Sequence, residues 1–219
     1  MNKYIDILKH TTMFSGISES DIQTMTSCLN ANFKEYKKGE YIFRQGEYLD
    51  HFCVLISGSV HIQSDDYWGN RSIVSQVKPS QMFGESYAVS GSSAVLTDAV
   101  ATSDCVVAFF NVKKLMTVCP HACSFHSAVI QNLLIALTHK NRALMQKLTH
   151  ISKRTTREKL ISYLSNESKL NGSNSFSIPF NRQQLADFLS VDRSAMSNEL
   201  CKMRDEGLLT FDKNNFTLL

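Results

Sequence analysis

A chain of 219 residues with 43% hydrophobic and 20% charged side chains has the balance of an ordinary globular protein, which excludes fibrous and disordered classes and suits two domains of about 100 residues each. Three prolines and nine glycines are too few for a long flexible linker, no apolar run nears the ~18 residues of a membrane span, and the opening MNKYIDILKH lacks the apolar stretch of a secretory leader. The net charge of +3 is uneven: residues 1–137 hold ten basic against twelve acidic side chains, residues 138–152 hold Lys140, Arg142 and Lys147 with no acid, and residues 153–219 hold ten against eight.

The basic excess is densest over Lys153, Arg154, Arg157 and Lys159, which suits either a polyanion-binding surface or a solvated helix face. Six cysteines, at 28, 53, 105, 119, 123 and 201, are scattered through a chain large enough to build its own core. They read as reduced thiols of a cytoplasmic protein and not as a disulfide framework.

In chain order, residues 1–30 predict short helices, with Ser18 or Ser20 as an N-cap ahead of DIQTMTSCLN. Residues 33 to 112 read as β structure. Short apolar runs (YIF, FCVLI, VHI, SIVSQV) lie beside Gly39, Gly46, Gly58 and Gly69 at hairpin-like spacing. After a loop, GESYAVSGSS, comes a further β stretch, AVLTDAVATSDCVVAFF. Many short strands with frequent turns indicate a sandwich or jelly roll. Cys53 and Cys105 fall in apolar runs and read as core, and Trp68 reads as a hairpin tip. From about 113 the period turns helical. Pro120 suits a first turn, and no Pro or Gly follows until Gly172. Phe125, Val129, Leu133, Leu137, Leu144, Leu148 and Ile151 form an apolar stripe on a helix longer than one domain requires. The helix is either shared with a second copy or laid along its own β domain.

The C-terminal segment opens with an amphipathic helix, RTTREKLISYLSNES, and a loop with a short strand, LNGSNSFSIPF. Asn181 can cap a helix bearing Leu185, Ala186 and Leu189, and small Ala186 admits a close neighbour. Ser190-Val191 makes a tight turn. Asp192 caps a second helix whose Met196, Leu200 and Met203 face inward. Gly207 ends it, and LLTF-DKNN-FTLL forms a hairpin. This pattern is a helix-turn-helix followed by a wing, the alternative being a helical hairpin that touches no DNA. The second helix would place Arg193, Ser194, Ser197 and Asn198 in the major groove. There Arg can bond guanine and Asn adenine or a phosphate. Lys202 lies further along it, and Arg182 is placed for a phosphate.

The segments FRQGEYLDHFCVLISGSV, FGESYAVSGSSAVL, the long helix and RQQLADFLSVDRSAMSNELCKMRDEGLL resemble, over nearly the full length, the superfamily of the cyclic-AMP receptor protein and the fumarate-nitrate reduction regulator. The resemblance implies an α+β chain in three parts. Residues 1–115 form a cyclic-nucleotide-binding-type β jelly roll with N-terminal helices, 116–152 a long dimerisation helix, and 153–219 a winged helix-turn-helix. It implies a cytoplasmic homodimer, paired through Val129, Leu133, Leu137, Leu144 and Leu148. Promoter DNA and an unknown small-molecule effector are implied partners, RNA polymerase is a candidate partner, and no membrane is involved.

Departures from the family pattern shape the effector expectation. Nucleotide-binding members carry a Gly-Glu, whose Glu bonds the ribose, and then an Arg that neutralises the cyclic phosphate. Here Gly84 and Glu85 match and lead into Ser86 and Tyr87, but residues 86–100 contain no Arg or Lys. An unpaired phosphate there would be costly, so cyclic AMP is disfavoured, with Arg142 as the substitute cation if it binds. The iron–sulfur branch uses closely spaced N-terminal cysteines, and the first cysteine here is Cys28, so no cluster is expected. Cys119, Cys123 and His126 are weak metal or haem candidates. Ser194, Ala195 and Asn198 depart from the family's recognition residues, so no operator carries over. No Walker loop, G-x-S-x-G or H-E-x-x-H is present, and an enzyme is not expected. The reading is an effector-responsive DNA-binding regulator, the alternative being a cyclic-nucleotide-binding or haem/redox-sensing member of the same superfamily.

Overall fold

Of the two candidate caps near the N-terminus, Ser18 is the one used: its Oγ accepts from the Asp21 amide at 3.2 Å and opens the first substantial helix. The computed structural model describes residues 4–117 and 124–219. The chain folds as two units, Met1–Gly69 with Val74–Lys140, and Asn70–Ile73 with Asn141–Leu219.

The first unit begins with α1 (Ile5–Lys9), a 3-10 turn (Thr12–Phe14) and α2 (Glu19–Cys28). Eight strands follow: β1 (Asn32–Tyr36), β2 (Tyr41–Phe43), β3 (His51–Ser57), β4 (Val60–Asp65), β5 (Arg71–Val77, its first three residues counted with the second unit), β6 (Met82–Phe83), β7 (Asp98–Ala101) and β8 (Cys105–Asn111). They form two four-stranded sheets, β1-β8-β3-β6 and β2-β7-β4-β5. The unbroken apolar run of β3 follows from its place between two cores. Alternate side chains leave a strand on opposite faces, so Cys53 and Leu55 join Phe43, Val60, Ala99 and Val107 inside the roll. Phe52, Val54 and Ile56 point the other way, against Leu8, Phe14 and Met25 of the N-terminal helices. Burial raises the Cys53 thiol pKa far above its ordinary value and pushes that of Cys105 up to about 11, so both are inert core residues. Gly58, at the β3–β4 turn with φ +86°, lies so close to the Asp104 carbonyl and Cys105 that no side chain fits there.

Two expectations change in this unit. The segment GESYAVSGSS is not all loop: residues Glu85–Ser90 form α3, between Gly84 and Gly91, both at positive φ. The helical texture from 113 onward is not one helix either. Val112–Met116 is a short α4, capped by Asn111 Oδ1 accepting from the Lys114 amide at 3.1 Å. Ser124–Ile151 is the 28-residue α5. Pro120, and with it the expected helix start, lies outside the described residues.

The apolar stripe on α5 also needs correction. Val129 is fully buried and Leu133 is 5% exposed, both in the core formed with the N-terminal helices, while Leu144 and Leu148 are 51% and 54% exposed. The reason is rotational. A step of four residues overshoots a helical turn by about 40°, so the run Val129, Leu133, Leu137 winds from the inner face toward the outer one. Val129 and Leu133 are therefore core residues of the first unit and not seam residues. Asn132 completes the inward attachment, its Nδ2 donating to the carbonyls of Met13 and Ser15 at 3.0 and 2.9 Å.

The second unit contains α6 (Thr156–Asn171), β9 (Ser175–Ser177), α7 (Arg182–Leu189), α8 (Arg193–Asp205), β10 (Leu209–Asp212) and β11 (Asn215–Leu218). Its core gathers Leu160, Tyr163, Leu185, Ala186, Leu189, Met196, Leu200, Met203 and Phe216. β9 pairs with β11, Phe176 opposite Phe216, so the expected terminal hairpin is a three-stranded sheet.

Candidate nucleic-acid interface and effector site

Three side-chain caps set up the second unit. Thr155 and Glu158 close a capping box on α6, Asn181 and Gln184 close another on α7, and Asp192 Oδ1 accepts from the Ala195 amide at 2.8 Å on α8. Between α7 and α8, Ser190 takes the left-handed conformation, φ 53°, which lets a connection of three residues turn the chain sharply. With Met196, Leu200 and Met203 buried, the 3.6-residue period turns Arg193, Ser194 and Asn198 outward, all exposed, with Ser197 half-buried beside them and Lys202 exposed one turn on. This presents a short polar face with a cation at the N-terminal turn of a well-held helix.

The nearby basic residues divide into two groups. Arg157 pairs with Glu199 (Nε to Oε1, 2.9 Å) and with Glu206, tying α6 to α8. Lys159 Nζ donates to the carbonyls of Leu189 and Ser190 at 3.2 and 3.1 Å, closing the C-terminus of α7. Two of the four residues in the dense basic run thus serve the scaffold, leaving Lys153 and Arg154 exposed. Arg182 also departs from expectation. Its guanidinium lies over Phe211 and Phe216, 4.7 and 5.0 Å from the ring centroids. Nη1 is buried and makes no hydrogen bond, and burial lowers the side chain's pKa. Arg182 is therefore a stacked plate between α7 and the wing and not an exposed phosphate contact, a role that only the folded wing reveals.

In the first unit, Gly84 holds φ +78°, and a side chain there would press on Leu49 and Phe43. It delivers Glu85, 3% exposed, into the protein, while Ser86 is exposed and Tyr87 packs half-buried against the roll interior. The cation facing Glu85 is Lys140 of α5, with Nζ 2.6 Å from Oε1. Arg142, the expected substitute, is exposed on α5 in the other unit. The periodicity of α5 could have singled out Lys140, since it follows Val129, Leu133 and Ala136 on the inward face. Cys119 and Cys123 lie outside the described residues, and so does the side chain of His126. Among the described residues, no group of three or more His, Cys, Asp or Glu is placed to hold a metal, and no helix is long and apolar enough to cross a membrane.

Comparison with known proteins bears on both sites. Residues 33–121 match the cyclic nucleotide-binding domain family, and residues 158–219 match the Crp-like helix-turn-helix domain family. The transcriptional activator protein FnrL of Cereibacter sphaeroides is 23% identical over 217 residues, covering 94% of this chain and 82% of that protein. FnrA of Stutzerimonas stutzeri is 24% identical over 189 residues, covering 84% of this chain and 75% of that protein. The solved structure of the c-di-GMP responsive global regulator CLP of Xanthomonas campestris superposes with a TM-score of 0.75 over 92% of this chain and 99% of that one, at 16% identity. That last likeness concerns the fold alone.

Proposed function

Since this chain belongs to the superfamily of the cyclic-AMP receptor protein and the fumarate-nitrate reduction regulator, and is a transcriptional regulator of that type and not an enzyme, we propose that it works as a cytoplasmic homodimer reading promoter DNA under control of an effector other than cyclic AMP. The observation that carries the DNA reading is the outward turn of α8. Arg193, Ser194 and Asn198 are exposed on a helix whose opposite side is locked by Met196, Leu200 and Met203. Arg193 is the residue for guanine, Asn198 for adenine or phosphate, with Ser197 and Lys202 flanking them. A dimer would set two such helices about 34 Å apart, one turn of DNA. An effector binding in the first unit would shift that spacing by changing how α5 pairs. The relatives' names as activators support a DNA-bound dimer that engages RNA polymerase.

The case against cyclic AMP rests on charge. Residues 86–100 supply no cation, and Lys140, the cation at Glu85, is already bound to it. A cyclic phosphate would compete for that ammonium. Selection of binding sites from a random DNA pool tests the main proposal. The wild-type chain should enrich a two-fold symmetric sequence with half-sites one helical turn apart, and Arg193→Ala should lose preference at one base pair of each half. Enrichment of no sequence would refute the proposal.

A further inference from the structure

The outer face of α5 carries a regular seam. Ile130, Leu134, Leu137, Asn141, Leu144 and Leu148 follow one another at steps of four, three, four, three and four, the alternation that keeps one face of a helix turned to a partner helix. Ile130, Leu134, Leu144 and Leu148 are 37%, 60%, 51% and 54% exposed, Asn141 is exposed, and Leu137 is half-buried. The inner face is already occupied: Val129, Leu133 and Ala136 pack in the core, and Lys140 holds Glu85. In heptad terms, Leu134, Asn141 and Leu148 take the a positions and Ile130, Leu137 and Leu144 the d positions, with Asn141 the one polar side chain of the six.

We propose that Asn141 fixes the direction, register and two-stranded state of α5 pairing between two copies of this chain, an inference that rests on the homodimer reading above. A carboxamide is both donor and acceptor. Two Asn141 side chains meeting across a two-fold axis therefore satisfy each other, as an isologous interface requires. Parallel, in-register pairing is the arrangement that sets a against a. An antiparallel pair sets a against d and would put Asn141 opposite leucine. A slip of one heptad would put it opposite Leu134 or Leu148. Either alternative buries two carboxamides without partners. The apolar positions do not make this choice. Two-stranded pairing is favoured by β-branched residues at a with leucine at d, whereas leucine at a with isoleucine at d tends toward higher oligomers. Leu134 and Leu148 at a, with Ile130 at d, leave Asn141 as the discriminating layer.

The test uses the full chain with Cys28, Cys119, Cys123 and Cys201 each replaced by Ser, the buried Cys53 and Cys105 kept, and a reporter thiol carried as either Leu137→Cys or Leu144→Cys. The two reporter proteins are mixed, allowed to exchange subunits and oxidised. Disulfides are mapped by mass spectrometry, and mass is measured by light scattering. With Asn141 present, cross-links should join 137 to 137 and 144 to 144, from a dimer. With Asn141→Leu, like-to-like links should fall at least tenfold, replaced by 137–144 links from a one-heptad slip or by unlinked antiparallel dimers, or species larger than a dimer should appear. A leucine variant that keeps the dimer mass and only like-to-like links overturns the role given to Asn141. Failure of the homodimer reading itself looks different: a monomer with Asn141 in place and neither reporter cross-linked.

Discussion

At the scale of single residues, the pair of Glu85 and Lys140 shows what a buried charge demands. Glu85 is 3% exposed, and its carboxylate is tolerated because an ammonium lies 2.6 Å away. Removing one partner leaves the other charge buried, which costs about 3–5 kcal/mol in fully enclosed pairs. Lys140 is about one-third exposed, which puts Lys140→Met near the lower end. Urea denaturation should show this loss, and the double variant Lys140→Met/Glu85→Gln should recover most of it. Arg182 gives a second contrast. As a plate over Phe211 and Phe216, its replacement by Ala should lower stability by about 1–2 kcal/mol. The salt dependence of DNA binding should stay nearly unchanged, whereas loss of a true phosphate contact would lower the slope by about one. Arg182→Lys should not restore the stability, because an ammonium lacks the planar face. Asn181, Ala186 and Asp192 were legible in the sequence because a cap or a small packing residue acts on near neighbours. The partners of Arg182 and Lys140 were not, because each is brought to its place by chain folding over long separations, 55 residues for Lys140 and Glu85.

Among the elements, α5 shows how periodicity can be right about existence and wrong about facing. An apolar run at steps of four announces a long helix, yet it drifts around the axis and merges core residues, Val129 and Leu133, with exposed ones, Leu144 and Leu148. Recognising the faces took the burial of each side chain. If the outer seam pairs two copies, Leu134→Glu with Leu148→Glu should give a monomer in light scattering, whereas Leu133→Glu should unfold the first unit, visible as loss of its cooperative melting. The C-terminal end of α5 should respond to pH. His150 is 5% exposed, with Nδ1 2.8 Å from Ser162 Oγ and its ring edge-on to Tyr163. Burial, followed by the charge of Lys153, holds its pKa below the ordinary 6.5. The fold keeps the ring neutral while the unfolded chain takes up a proton, so its contribution is whole above pH 6.5 and is lost as pH falls below that value. Chemical denaturation at about pH 7.5 and about pH 5 should show falling stability on acidification, with a shallower fall for His150→Gln.

For the whole molecule, the order of parts was the most legible property: a run of short strands, a long helix, then two capped helices and a hairpin. Each depends on local spacing, and the assembled order is specific. What stayed hidden were the sheet pairings, such as β9 with β11, and the meeting of Lys140 with Glu85, both of which depend on non-local approach. The proposed function inherits this division: the polar face offered to DNA is traceable to α8, and the effector to no single motif. Cyclic AMP should bind no tighter than about millimolar, because residues 86–100 offer its phosphate no cation and Lys140 is engaged by Glu85, and equilibrium dialysis showing micromolar affinity would count against that reading. On a selected operator, Arg193→Ala should cost about 1–3 kcal/mol in competition binding, a loss confined to specific DNA. The second unit's closed core and three capped helices carry a thermodynamic consequence. Nothing in α7 or α8 is left to fold when DNA arrives, so association should follow the small negative heat-capacity change of two preformed surfaces meeting. It should lack the large one of a segment that orders on contact.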